Sequence, residues 1–248
     1  PLLPFVGFLL NGLLNKRLPA ALAGMLGSAT VLGSFLISVV LFWSFLHPAA
    51  GWAILGTAVH RAYTVELFDW ITVGSLQIPF SYQIDQLSLV MLLLVTGVGF
   101  LIHVYSIGYM AHDENVGKFF SFLNLFIFSM LVLVMGSNFV ILFIGWEGVG
   151  VCSYLLIGFW NTNTAYNNAA KKAFIINRIG DLGFLLGVFL IYLTFNSVQY
   201  GEVFQKASLL EFGPYTVGIC TAITLLLFVG AMGKSAQLPL YTWLPDAM

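Results

Sequence analysis

The sequence predicts an all-α, multi-pass membrane protein: a bundle of about seven transmembrane helices with a short β-hairpin in one connecting loop. Three observations carry this. Of the 248 residues, 60% are hydrophobic and only 8% are charged, against about 25% charged in a soluble domain. The apolar residues fall in runs near the roughly 20 residues that a hydrocarbon core requires. The last run contains Lys234 and is followed by Pro239 and Pro245, the pattern of a helix broken inside a membrane.

Taken in order, the apolar segments are 2–15, 20–46, 82–111, 117–136, 138–160, 173–195 and 215–237. The first is short and is expected to begin before Pro1. Segments four and five are separated only by Gly136, Ser137 and Asn138, which reads as a tight turn. Residues 47–81 form a polar, aromatic loop. Within it Tyr63–Phe80 concentrates Val, Ile, Phe, Trp and Thr around Gly74, which predicts a hairpin. Asp85, just ahead of the apolar LSLVMLLL run, reads as an interfacial or N-terminal helix charge.

Orientation follows from lysine and arginine, which favour cytoplasmic loops. Loops after odd-numbered segments hold Lys16, Arg17, Lys118, Lys171 and Lys172; loops after even-numbered segments hold Arg61 and Lys206. The odd loops are therefore cytoplasmic (or matrix or stromal), and the N-terminus faces the other side. Lys16 and Arg17 follow the first apolar run, unlike the flanks of a signal peptide. No basic run points to nucleic acid. Cys152 and Cys220 lie in apolar segments and read as small core residues rather than a disulfide or metal site. The chain lacks an initiator Met and stops within a motif, so it reads as part of a longer protein.

Four ionisable residues fall well inside the later segments: Glu147, Arg178, Asp181 and Lys234. Each costs about 2.5–3.5 kcal/mol at mid-helix, which four charges tolerate only by pairing. Glu147 sits among Gly145, Gly148, Gly150, Cys152 and Ser153, where a neighbouring helix approaches closely. It reads as a carboxylate on a proton path or as a salt bridge that orients two helices. Arg178 and Asp181 share a helix face and can pair within one helix. For Arg178 the internal pair is the favoured reading, while Asp181 also reads as reaching a neighbouring helix.

Lys234 has the strongest functional case. Desolvation lowers its affinity for a proton and a nearby carboxylate raises it, so a lysine held between the two exchanges protons as its partner moves. Pro239 and Pro245 free the carbonyls of Ser235 and Tyr241. The sequence therefore predicts a helix that ends between Lys234 and Leu240 and resumes toward Pro245, with Ser235, Gln237 and water as partners for the freed groups. His47, His60 and His112 fall in loops. His103 lies inside segment three and reads as a satisfied core residue. No phosphate loop, metal cluster, haem motif or nucleophilic triad appears, so this chain is expected to hold no cofactor or metal.

The stretches GWEGVGVCSYLLIGFW (145–160), KKAFIINRIGDLGFLLG (171–187) and GKSAQLPLYTWLPDAM (233–248) together resemble the antiporter-like L subunits of respiratory complex I, as does SYQIDQLSLVMLLLVTGVGFLIHVYSIGYM (81–110). The resemblance covers essentially the whole chain. It implies a proton-translocating membrane-arm subunit of an NADH:quinone oxidoreductase, built on two inverted five-helix repeats. Residues 1–112 would be an N-terminal three-helix segment carrying the 47–81 loop. Residues 113–248 would be most of the first repeat, with segment seven as its broken helix. The second repeat and a lateral helix lie outside this chain, which would be about two-fifths to one-half of the family's length. Glu147 matches the family's glutamate, Lys234 its lysine on the broken helix, and Arg178 with Asp181 its NRxGD motif.

The same resemblance implies that NADH, flavin, iron–sulfur clusters and quinone belong to other subunits. The partners would be other membrane-arm subunits, chiefly the neighbouring antiporter-like one, and the lipid bilayer. A bacterial cytoplasmic membrane fits best, with mitochondrial inner and thylakoid membranes as alternatives. Two other readings remain. A large subunit of a multisubunit cation/proton antiporter shares the fold and the Glu–Lys pair. A purely structural scaffold would leave Glu147 and Lys234 as packing charges.

Overall fold

A computed structural model of the chain describes residues 1–15, 17–47, 62–74, 76–210 and 213–248. Lys16, His60 and Arg61 lie outside them. The elements are α1 (Leu2–Leu13), α2 (Ala20–Leu46), β1 (Tyr63–Val73), β2 (Leu76–Ile84), α3 (Gln86–Tyr109), α4 (Val116–Met135), α5 (Phe139–Ile157), α6 (Thr164–Phe195), α7 (Tyr200–Ser208), α8 (Pro214–Lys234) and α9 (Leu244–Ala247). Among the described residues, six helices (α2, α3, α4, α5, α6 and α8) are long and apolar enough to cross a membrane. The seventh expected segment, α1, is apolar but shorter, at 12 residues.

The packing divides the chain into two compact units. One comprises residues 1–65, 82–136 and 142–152; the other comprises 66–81, 137–141 and 153–248. In the first unit α2 packs on α3 and α1 on α4. Its apolar core is Val31, Leu89, Leu92, Ile127, Leu131 and Met135, with Tyr82 and Ile84 against it. Those two residues lie on β2, so the third membrane segment starts later than the expected residue 82. Asp85 marks the change. Its Oδ1 accepts from Ser88 N at 2.8 Å, and Ser88 Oγ accepts from Asp85 N at 2.7 Å, a capping box. Burial raises the affinity of the Asp85 carboxylate for a proton. Hydrogen bonds from the Ser88 backbone and from the Gln83 and Ser88 side chains outweigh this and hold it below the ordinary value. The hairpin forms as expected, with Gly74 at φ +58°, the left-handed region where glycine carries no steric penalty.

In the second unit α6 packs along α8, with α7 and α9 against α6. Ile191, Phe195, Val203 and Ile223 form a core cluster. Helix α6 begins nine residues before the expected residue 173. Its entry sequence TAYNNAAKK is too polar to register as a membrane segment, but Asn163 caps it by accepting from Ala165 N at 2.9 Å. Lys171 and Lys172 therefore stand on a helix and not in a loop. The α7 turn was not foreseen, because it is short and its apolar side is a single buried Val203. Its Tyr200 ring packs edge-on against Phe139 at 4.8 Å between centroids. Burial raises the Tyr200 hydroxyl above its ordinary pKa. The Gly136–Asn138 turn is held at its second half by Asn138. That residue caps α5 through Val140 N and Ile141 N and donates to the Pro79 carbonyl at 3.1 Å.

Candidate functional site: two glycine crossings beside buried charge

The second unit contains three of the four expected charges. Helices α6 and α8 cross with their backbones in contact. A methyl group on Gly180 would lie 3.1 Å from the Gly233 Cα, and one on Gly233 would lie 3.2 Å from the Gly180 Cα. The close track continues along the pair. Gly183 faces Val229 (2.6 Å to Cγ1), and Gly230 faces Phe184 (2.7 Å to Cβ). Asp181 follows Gly180 and is only 3% exposed; Lys234 follows Gly233 and is half-buried. The tight contact thus carries one acid and one base into the immediate neighbourhood of the crossing. The Arg178 guanidinium lies over the Phe174 ring at 4.7 Å, a cation–π contact within α6.

Lys234 is the last residue of α8. The helix closes in a Schellman motif: Ala236 takes φ +50° and donates to the Gly233 carbonyl at 3.4 Å, and Gln237 N donates to the Met232 carbonyl at 3.0 Å. The break falls in the expected window, but the chain turns before either proline. The side chain that answers a helix-end carbonyl is also different from those expected. Trp243 Nε1 donates to the Gly233 carbonyl at 3.0 Å, folding the segment after the break back onto the end of α8. The Tyr241 carbonyl accepts from Leu244 N at 3.1 Å as α9 begins. Helix α9 is tied to the polar entry of α6 by a Lys172–Asp246 ion pair of 2.6 Å.

Glu147 belongs to the first unit, where it is half-buried on α5. The small residues around it act as expected. A methyl group on Gly145 would run into the Leu133 backbone, and one on Gly148 would lie 2.6 Å from Ser129 Oγ. Cys152 is fully buried. Each charged site is thus flanked by a crossing only glycine permits.

Two further polar residues escaped the sequence reading. Trp243 carries no charge and stands outside the apolar segments, so nothing in the sequence singles it out as the donor to the Gly233 carbonyl. Asn177 is 6% exposed, and its Oδ1 has no hydrogen-bond partner among the described residues. The signal that could have found Asn177 is its spacing, one turn before Asp181 on the same helix face.

Residues 136–248 match the family described as NADH:quinone oxidoreductase/Mrp antiporter, transmembrane, and residues 70–120 match the NADH-ubiquinone oxidoreductase (complex I) chain 5 N-terminus family. NADH-quinone oxidoreductase subunit L of Mycobacterium tuberculosis (strain CDC 1551 / Oshkosh) is 45% identical over 236 residues, 95% of this chain and 35% of that protein. Subunit L of Campylobacter jejuni is 51% identical over 189 residues, 76% of this chain and 30% of that protein. The fold is similar to a chain of the Mrp complex from Dietzia sp. DQ12-45-1b, with a TM-score of 0.77 at 24% identity, covering 99% of this chain and 25% of that one. Relatives matched along 95–100% of this chain are covered to 35–38% of their own length, near the lower end of the two-fifths to one-half expected. With both family matches and this identity along nearly its whole length, the chain is similar throughout to the antiporter-like L subunits of NADH:quinone oxidoreductases.

Proposed function

We propose that this chain is part of a proton-translocating membrane-arm subunit of complex I, in which electron transfer in other subunits drives protons through a Glu147–Lys234 pair. The observation that carries the reading is the end of α8 at Lys234, one residue past the Gly180–Gly233 crossing that also carries Asp181. The carbonyl end of α8 bears partial negative charge and favours protonated Lys234. Desolvation opposes it, and a nearby carboxylate favours it. Lys234 therefore loads a proton while Glu147 is ionised and close, and releases it when Glu147 is neutralised or moves away. Asp181 and Arg178 extend the charge network toward α6. NADH, flavin, iron–sulfur clusters and quinone reside in other subunits, and this chain holds no cofactor or metal. Its partners are the neighbouring membrane-arm subunits, and its home is the bacterial cytoplasmic membrane. Residues 113–248 serve as most of the first repeat, and 1–112 as the segment preceding it.

The test substitutes Glu147→Gln in the full-length protein and measures NADH-driven proton pumping and complex content in membranes. Slowed pumping with normal assembly is expected. Full pumping with normal assembly defeats the proposal, and loss of assembly makes Glu147 a structural charge. The second reading, a large subunit of a cation/proton antiporter, draws on the Mrp-like fold. Sodium-dependent proton exchange without NADH oxidation would favour it.

A further inference from the structure

Helix α6 is longer than a membrane crossing needs. Its 32 residues rise 1.5 Å each and run about 48 Å, against a hydrocarbon core of about 30 Å. One side of it is exposed and apolar: Ile175, Ile179, Leu182, Leu186, Phe189 and Leu193 recur at spacings of three and four and form one stripe. From Ile175 to Leu193 the stripe covers about 27 Å, close to the thickness of that core. The next position along it is Lys171, one turn toward the polar entry of the helix and also exposed. That step takes Lys171 out of the hydrocarbon and in among the headgroups. Trp160 and Tyr166 stand at the same end of the helix, both exposed and with ring centroids 6.3 Å apart. Rings of this amphipathic kind gather at the membrane–water boundary.

Beside Lys171 the end of α5 rests on α6. A methyl group on Gly158 would lie 3.2 Å from the Ala170 Cβ, and the Tyr154 ring meets the Phe174 ring edge-on at 5.6 Å between centroids. Next to this contact lies a groove of about 290 Å³ lined by Tyr154, Lys171, Phe174 and Ile175. Its walls are two aromatic rings and an aliphatic side chain, and through Ile175 it continues into the apolar stripe. No acid lines it. The neighbouring Lys172 is paired with Asp246 at 2.6 Å, whereas Lys171 has no ion-pair partner among the described residues. The groove therefore has an apolar body at the depth of the hydrocarbon and one positive charge at the depth of the headgroups.

We propose that this groove binds an anionic phospholipid, with its phosphate on the Lys171 ammonium and one acyl chain along Phe174 and Ile175. The two ends of the groove match the two ends of such a molecule. A basic pocket between membrane helices is suited to an acidic headgroup, and the lysine stem lies along apolar surface while its charge reaches outward. An acidic protein segment would satisfy Lys171 as well, but its backbone groups would find no partners on the apolar walls. Charge on the headgroup decides the choice between lipids, because the walls offer the same contact to every acyl chain.

The experiment places the full-length protein, purified with its native partners, in nanodiscs of phosphatidylcholine alone or mixed with phosphatidylglycerol. Cryo-electron microscopy then compares wild type, Lys171→Gln and Lys171→Arg. In wild type with phosphatidylglycerol, headgroup density is expected within hydrogen-bond distance of Lys171 Nζ, with chain density along Phe174 and Ile175. Lys171→Arg should keep it; Lys171→Gln, and wild type in phosphatidylcholine alone, should lose the headgroup. Phosphatidylglycerol titrated into the detergent-purified protein should raise its melting temperature. The midpoint for Lys171→Gln should lie about fivefold higher in lipid, the equivalent of about 1 kcal/mol for one basic residue at a membrane surface. Should Lys171→Gln fail to assemble, the wild-type comparison between the two lipid mixtures decides alone. Headgroup density that is equal in both mixtures overturns the proposal, as do equal midpoints for wild type and Lys171→Gln. A side chain of a neighbouring subunit seated on Lys171 overturns it as well.

Discussion

The crossings beside Glu147 and Lys234 and the contacts among α1, α2 and α4 use glycine for opposite ends. At Gly145 and at Gly180–Gly233 the missing side chain admits a neighbour's backbone. At Gly7 and Gly27 it admits the polar head of an asparagine or threonine. Backbone cannot move aside without dragging its helix, whereas a side chain can rotate. The first kind of glycine therefore fixes where a charge sits, and the second only makes a polar interior tolerable. In a sequence the two look alike, as small residues in apolar runs.

The largest expected effect tests the rigid kind. Gly145→Val should cost about 3 kcal/mol or more by overpacking, read as loss of the subunit from assembled complex. Gly7→Ala should cost less, about 1–2 kcal/mol, because Thr30 and Asn124 can shift at the expense of one hydrogen bond. Equal losses for the two, measured by thermal melting of the complex, would erase the distinction.

A smaller effect is expected at Asp85, the carboxylate that caps α3. Asp85→Ala should cost about 1 kcal/mol. The bonded state of Asp85 holds its pKa below the ordinary 3.8. Its contribution is thus present above that value and fades as pH falls through the lower folded-state value. The stability gap between wild type and variant should close at strongly acid pH; a gap unchanged there would mean the charge is irrelevant to the cap. The smallest effect carries the opposite sign. Ala236 bears a Cβ in the left-handed region, so Ala236→Gly should stabilise by about 0.5–1 kcal/mol. A melting temperature that falls would show that Ala236 packs in a way its backbone does not reveal.

Legibility followed the range of the interaction. Helices α2, α3, α4 and α5 were readable because hydropathy is summed within one segment and needs no partner. The hairpin was readable from β-formers around Gly74. The polar start of α6 was not, since TAYNNAAKK carries no apolar run and is secured by the Asn163 cap and the Lys172–Asp246 pair. The end of α8 was placed within its window, but through the prolines, whereas a left-handed Ala236 turns the chain first.

By itself the sequence determined that this chain is a multi-pass membrane protein, roughly where its apolar segments run, and which four charges fall within them, because hydropathy and charge are properties of each residue. Only the tertiary structure decided which glycines meet backbone and which meet amides, that Trp243 closes on Gly233, and that Asn11 and Asn124 both pack against Gly27. Those choices depend on which helix faces come together. One segment's periodicity carries no information about the face of another.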